Sequence, residues 1–266
     1  MLLFDHLLDF VFPRDCFYCK KLLHSRPKGF ICDECFEKFI FNRGICCRCC
    51  GRAMMTEAVQ RESDGEGIET KYFDDGRNGV SEPQVAITET VRCMNCTELN
   101  PFFDGGISLF AFKDVGRAFI HTLKYHNGTY LRGDLQRLFW HEKDRLRDLK
   151  GAVFVPVPLH FFRKFKRGYN QSDLVASALA KYVGGRVQRL LRRKRHTPSQ
   201  TSLTKAQRKE NVKGAFGLRR FAKIDPRVTY VLTDDVFTTG STLNECARVL
   251  KEKGATIVRV FTLGHG

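Results

Sequence analysis

Two sets of residues in this 266-residue chain are spaced for chemistry. The first is Val231-Leu232-Thr233-Asp234-Asp235-Val236-Phe237-Thr238-Thr239-Gly240-Ser241-Thr242, an apolar run leading into two acids and a hydroxyl-rich turn. With a strand before the turn and a helix after it, the turn sits at a strand's carboxyl end, where open α/β sheets bind ligands. Its backbone N–H groups, the helix N-terminus behind them and the hydroxyls of Thr238, Thr239, Ser241 and Thr242 then form an anion cradle. Gly240 lets the backbone approach the anion closely. Asp234 and Asp235 would repel that anion, so their partners must be hydroxyls or a cation a few ångströms away. A phosphorylated ribose supplies both. Neither G-x-x-x-x-G-K-[ST] nor G-x-G-x-x-G occurs, which argues against ATP hydrolysis and dinucleotide binding.

The second set is cysteine. Ten of 11 cysteines precede residue 97, and eight read as Cys-x2-Cys knuckles: Cys16/Cys19, Cys32/Cys35, Cys47/Cys50 and Cys93/Cys96. Two such turns aim four thiolates at one tetrahedral metal. The spacing therefore implies two structural Zn2+ ions, one held by Cys16, Cys19, Cys32 and Cys35, the other by Cys47, Cys50, Cys93 and Cys96. Cys46/Cys49 is also a knuckle; Cys47/Cys50 is preferred because Gly51 then supplies the turn after the second thiolate. All eight sulfurs are used in closed sites, whereas a catalytic zinc keeps an open position. A secreted disulfide scaffold is disfavoured, because no secretory signal is present and the chain is large enough to fold without staples.

Charge marks a third region. Residues 145–220 hold 20 Lys/Arg against 3 Asp/Glu, while the net charge of the whole chain is +16, so this window carries essentially all the basicity. Such a footprint suits a phosphate-rich partner. Within it, His160-Phe161-Phe162-Arg163-Lys164-Phe165-Lys166-Arg167-Gly168-Tyr169 interleaves four aromatics with four cations. Aromatics stack bases and cations track phosphates, which is how sequence-tolerant single-strand binding works. The candidate loop comprises Pro158, His160, Arg163, Lys164, Lys166, Arg167, Tyr169 and Asn170, facing either a pyrophosphate or DNA. His121, Lys124 and Tyr125 either border the site or simply share one face of a helix.

These groups need elements to position them. Leu3, Leu7 and Phe10 at i, i+4 and i+7 suggest a short amphipathic N-terminal helix. Residues 52–92, with 9 Asp/Glu and 5 Lys/Arg, read as an acidic insertion inside the second ribbon. From residue 102 strands and helices alternate: strand at 107–112, helices at 117–125 and 131–147, the Pro-ended strand from Val153, a helix at 171–181, the strand before Asp234, a helix, and a last strand at 256–263. That alternation predicts an α/β fold with a largely parallel sheet. A small double zinc ribbon domain at 1–100 precedes it, and a domain at 101–266 carries a mobile basic hood at about 189–213, poor in large apolar residues. No run of 18 apolar residues exists, which excludes a spanning helix.

The Asp234–Thr242 segment resembles the 5-phosphoribosyl 1-pyrophosphate (PRPP) motif of type I phosphoribosyltransferases, which implies Asp234 and Asp235 on the ribose hydroxyls and Thr238, Thr239, Gly240, Ser241 and Thr242 on the 5′-phosphate. Three more segments, Val155-Pro156-Val157-Pro158-Leu159-His160 with Arg167-Gly168-Tyr169-Asn170-Gln171, Arg195-His196-Thr197-Pro198-Ser199-Gln200, and Arg208-Lys209-Glu210-Asn211-Val212-Lys213-Gly214-Ala215-Phe216, extend the match. With the ribbons in front, the chain resembles the ComF (ComFC) family of competence proteins nearly end to end. The resemblance implies a type I phosphoribosyltransferase-like domain in a cytoplasmic protein, at the inner face of the membrane with DNA uptake machinery. It implies handling of single-stranded DNA in natural transformation beside a helicase-like ATPase, with PRPP or a nucleotide as ligand. An alternative is a phosphoribosyltransferase enzyme using Mg2+ with PRPP and a nucleobase-like acceptor. Thr233, where the family has an apolar residue, and the 42 residues between Cys50 and Cys93 depart from the pattern.

Overall fold

The computed structural model describes residues 14–23, 29–54, 91–125, 128–159, 168–194 and 205–266. The expected N-terminal helix, most of the acidic insertion, the stretch from His160 to Arg167 and the centre of the hood lie outside them. The elements are α1 (Asp33–Phe36), α2 (Met94–Leu99), β1 (Gly105–Ala111), α3 (Asp114–Tyr125), α4 (Arg132–His141), α5 (Lys143–Leu146), β2 (Val153–Pro156), α6 (Gln171–Val183), β3 (Arg186–Val187), β4 (Leu191–Arg193), α7 (Lys205–Val212), β5 (Phe216–Leu218), β6 (Thr229–Phe237), α8 (Ser241–Glu252) and β7 (Ile257–His265).

Five strands form one sheet in the order β1-β7-β6-β2-β3, every pairing parallel. The expected parallel α/β architecture is thus present. β6 is central, and its buried Tyr230-Val231-Leu232 run is what a strand covered on both faces requires. Thr233 within it is fully buried and its hydroxyl donates to the Val231 carbonyl at 3.3 Å, so this polar residue is satisfied without a partner outside the strand. The expected long helix at 131–147 is instead α4, α5 and a short 3-10 turn.

The two sheet faces bury separate cores, and each takes one cysteine ribbon. Val231 of β6 and Phe261 of β7 join residues of α3, α4, α6 and the first ribbon; Leu232 and Val260 join α8 and the second ribbon. Phe39 of the first ribbon packs its ring at a tilt against Phe110 at 4.8 Å and edge-on against Phe119 at 6.0 Å between ring centroids. On the other face Ser108 of β1 bridges the second ribbon and the sheet, its Oγ 2.7 Å from the Cys50 carbonyl and 2.7 Å from Thr262 Oγ1.

The ends of the expected hood are structured: β4 pairs antiparallel with β5, and Leu190, Leu191 and Val212 are buried. Those three side chains anchor both flanks of a segment whose composition suggested mobility throughout. Among the described residues no helix is long and apolar enough to cross a membrane.

Candidate functional site

The Asp234-Asp235 pair stands near the carboxyl end of β6, and the following turn delivers the chain into α8. Gly240 is the N-cap of that helix with φ +73°; an added Cβ would lie 2.4 Å from the Phe237 ring and 2.8 Å from Leu99 Cδ2. Only glycine suits both the left-handed backbone and the space. Thr239 Oγ1 and Ser241 Oγ are 3.0 Å apart, and Thr239 Oγ1 also accepts from Ser241 N at 3.4 Å. Thr238 is exposed, Thr242 half-buried. The hydroxyls and first N–H groups of α8 are therefore gathered in one turn behind the two acids.

Both acids are held from the N-terminus of α6 and from α3. Ser172 Oγ donates to Asp234 Oδ1 at 2.9 Å, which also accepts from Asp235 N at 2.9 Å. Gln171 Nε2 donates to Asp235 Oδ2 at 2.9 Å, and Lys124 Nζ pairs with the same oxygen at 3.1 Å. One oxygen of each carboxylate, Asp234 Oδ2 and Asp235 Oδ1, takes no hydrogen bond among the described residues. Burial, and then the neighbouring Asp235 carboxylate, push Asp234 up to about 7 from its usual acid range.

Asn170 caps α6, its Oδ1 accepting from Ser172 N at 3.2 Å, while Nδ2 donates to the Val157 carbonyl at 3.0 Å. Tyr169 OH donates to the Leu123 carbonyl and accepts from Gly128 N at 3.0 Å. These two residues, expected on a ligand-facing loop, use these polar groups to join the exit of β2 to α6 and α3. Pro158 is half-buried just beyond β2. His160, Arg163, Lys164, Lys166 and Arg167 lie outside the described residues. Of the helix-face trio, Lys124 reaches the acid pair, whereas His121 and Tyr125 lie with ring centroids 4.7 Å apart. Gln171 and Ser172 escaped the sequence reading as ligands of the acids; the signal was their place directly after the Asn170 cap.

The cysteines form two tetrads, Cys16/Cys19/Cys32/Cys35 and Cys47/Cys50/Cys93/Cys96, each with all four sulfurs within 4.8 Å of one another. Zinc–sulfur bonds of about 2.3 Å put tetrahedral sulfurs about 3.8 Å apart. Cys19–Cys32 and Cys50–Cys93 Sγ separations of 3.7 Å fit that edge. Cys46 and Cys49 stand outside the tetrad, as the Gly51 turn suggested; Gly51 has φ +73° and leaves no room for a Cβ against Ser108 N.

Residues 7–64 match the family model described as "Double zinc ribbon domain". Competence protein F of Haemophilus influenzae is 28% identical over 255 residues, covering 94% of this chain and 96% of that protein. The DNA utilization protein YhgH of Escherichia coli K12 is 31% identical over 189 residues, 68% of this chain and 82% of that one. The chain belongs to the ComF family. Competence protein ComFC of Bacillus subtilis, 25% identical over 260 residues, spans 97% of this ComF-family chain and 92% of its own length. Among solved structures, a hypoxanthine phosphoribosyltransferase of Staphylococcus aureus aligns with TM-score 0.33 and 14% identity over 49% of this chain and 62% of that one.

Proposed function

We propose that this ComF-family protein binds a phosphoribosyl ligand, PRPP or a nucleotide, at the β6–α8 turn and handles single-stranded DNA during DNA uptake. The observation that carries the ligand reading is the pairing of two carboxylates, each with one oxygen uncommitted among the described residues, with a hydroxyl-lined helix N-terminus closed by Gly240. Carboxylate oxygens accept ribose hydroxyls, and the turn takes the 5′-phosphate. The DNA reading draws on the names of the relatives, competence and DNA utilization proteins, and on the basic window at 145–220. A cytoplasmic setting at the inner face of the membrane and a helicase-like ATPase partner belong to the same reading.

Calorimetric titration of zinc-loaded protein with Mg-PRPP tests the ligand. Saturable binding that the Asp234→Asn/Asp235→Asn variant loses, while keeping its fold, supports it; absence of binding to the wild type overturns it. A second reading, an Mg2+-dependent phosphoribosyltransferase, is supported by the same acid pair, since Asp234 and Asp235 stand side by side at the end of β6 with an oxygen each left for ribose hydroxyls. In that case Mg2+ would neutralise the leaving pyrophosphate, and this chain would orient the ribose through Asp234 and Asp235. Acceptor-dependent release of pyrophosphate, abolished by Asp235→Asn, distinguishes it from binding alone.

A further inference from the structure

The second ribbon is built against the phosphate loop. Its last knuckle is Cys93-Met94-Asn95-Cys96, with Cys93 as N-cap of α2 and its backbone N–H donating to Cys47 Sγ at 3.3 Å. Asn95 therefore lies between two ligands of one tetrad, and its Nδ2 donates to the Thr239 carbonyl at 3.5 Å. Leu99, one turn on, covers the α-carbon of Gly240. Beyond the helix, Phe102 N donates to Asn244 Oδ1 on α8 at 2.7 Å, and Phe103 meets Phe237 edge-on at 6.2 Å between centroids. Four contacts from one short segment thus converge on the end of β6, the turn and the first turn of its helix.

We propose that Asn95 is a positioning residue for the 5′-phosphate, and that the second cysteine tetrad is a structural part of the phosphoribosyl site. The inference rests on the ligand reading above and deepens it. The Thr239 carbonyl and the Gly240 N–H belong to one planar, trans peptide unit, so they point in opposite directions. An amide holding that carbonyl toward the ribbon turns the Gly240 N–H away from it, as an anion cradle requires. From the other side the Gly240 carbonyl accepts from Asn244 N at 2.8 Å, so both flanks of the glycine are fixed. Metal in the tetrad fixes the knuckle, the knuckle fixes Asn95, and Asn95 fixes the peptide that faces the phosphate. The first tetrad lies on the opposite face of the sheet.

The test combines calorimetry with phosphorus NMR, using Mg-PRPP as the probe on wild type, Asn95→Ala, Asn95→Leu and, as a control on the other sheet face, Arg137→Ala, which removes the α4 guanidinium that donates to Asp33 Oδ1 of the first ribbon at 2.7 Å. Asn95→Leu keeps the approximate size, loses the donor and adds no charge beside the phosphate, which guards against a variant that merely misfolds or repels the ligand. Both Asn95 variants are expected to weaken binding about five- to tenfold, the size of one lost hydrogen bond. They shift the bound 5-phosphate resonance and leave the two pyrophosphate resonances in place, with zinc content and thermal midpoint held; Arg137→Ala binds as wild type. Wild-type binding that neither Asn95 variant weakens overturns the inference and leaves the ligand reading standing. Equal displacement of all three phosphorus resonances also overturns it, since that marks a general loosening. A wild type that binds no Mg-PRPP removes both.

Discussion

The acid pair is where single residues set the behaviour of the site. Asp234 holds its proton to about pH 7, against 3.8 for an ordinary aspartate. A carboxyl bound more tightly to its proton in the folded state favours folding fully below pH 3.8, and that contribution disappears as pH rises through 7. Asp234→Asn, which cannot ionise, should therefore gain thermal midpoint relative to wild type between pH 5 and pH 8, as parallel melts would show. Ligand binding runs the other way, because hydroxyls donate to the carboxylate. Wild-type affinity for Mg-PRPP should rise across the same window, and the Asn variant should lose the part of that rise that belongs to residue 234. Lys124 makes a separate claim. Its ammonium pairs with Asp235 Oδ2, the two side chains being 23% and 7% exposed. Removing one partner leaves a mostly buried charge. Lys124→Met is expected to cost about 2–3 kcal/mol, below the fully buried range because the lysine keeps some solvent. Adding Asp235→Asn should recover most of that in urea unfolding, the signature of a coupled pair.

At the scale of elements, two glycines test whether the faces of the sheet act independently. An added Cβ at Gly29 would lie 2.1 Å from Asp134 Oδ1. That carboxylate, in α4, accepts from Phe30 N at 2.9 Å and Ile31 N at 3.2 Å, which clamps the first ribbon to the body. Burial raises Asp134 to about 6 despite those donors. Gly29→Ala should lower stability by roughly 2 kcal/mol, in the range of a disrupted buried contact, and hasten loss of one zinc to a chelator. It should leave Mg-PRPP affinity alone. Gly240→Ala should do the reverse, weakening Mg-PRPP binding tenfold or more with both zincs retained, since φ +73° disfavours alanine and Phe237 fills the space. Much of this layout was legible in sequence. The apolar run before Asp234 and the Asn170 cap mark β6 and α6 locally, and the knuckle spacing gives both tetrads. The docking was not. Phe30 meets Asp134 and Asn95 meets Thr239 across more than 100 residues of sequence, and no local pattern encodes such a meeting. The hood flanks escaped for another reason: β4 has three residues, too few for periodicity to rise above the surrounding cations.

For the whole molecule the question is where the positive charge points. Within or beside the basic window, Arg189 is paired with Asp173 and Arg227 with Asp225. Arg192, Lys194, Arg219, Arg220 and Lys223, on and beside the β4–β5 ribbon, are exposed and have no carboxylate partner among the described residues. Arg192 Nε donates to the Leu218 carbonyl at 3.1 Å and Arg219 Nε to the Leu191 carbonyl at 3.3 Å, so the ribbon holds both stems. Phe221 beside them is 87% exposed at φ +65°, with the Arg220 guanidinium 5.0 Å from its ring centre. Cations without acids and an aromatic without a core match the two ingredients of single-strand binding. A strand contacting about six phosphates should show a log-log salt slope near −4 at about −0.7 per phosphate. If the ribbon is the contact, Arg192→Ser/Arg219→Ser/Arg220→Ser should reduce that slope by about 2, while Phe221→Ala lowers affinity and leaves the slope unchanged. Salt titration of a fluorescent single-stranded oligonucleotide measures both quantities at once. A triple variant with the wild-type slope would move the phosphate contacts off this ribbon and onto the cations between His160 and Arg167, where aromatics and positive charge alternate just as closely in the sequence.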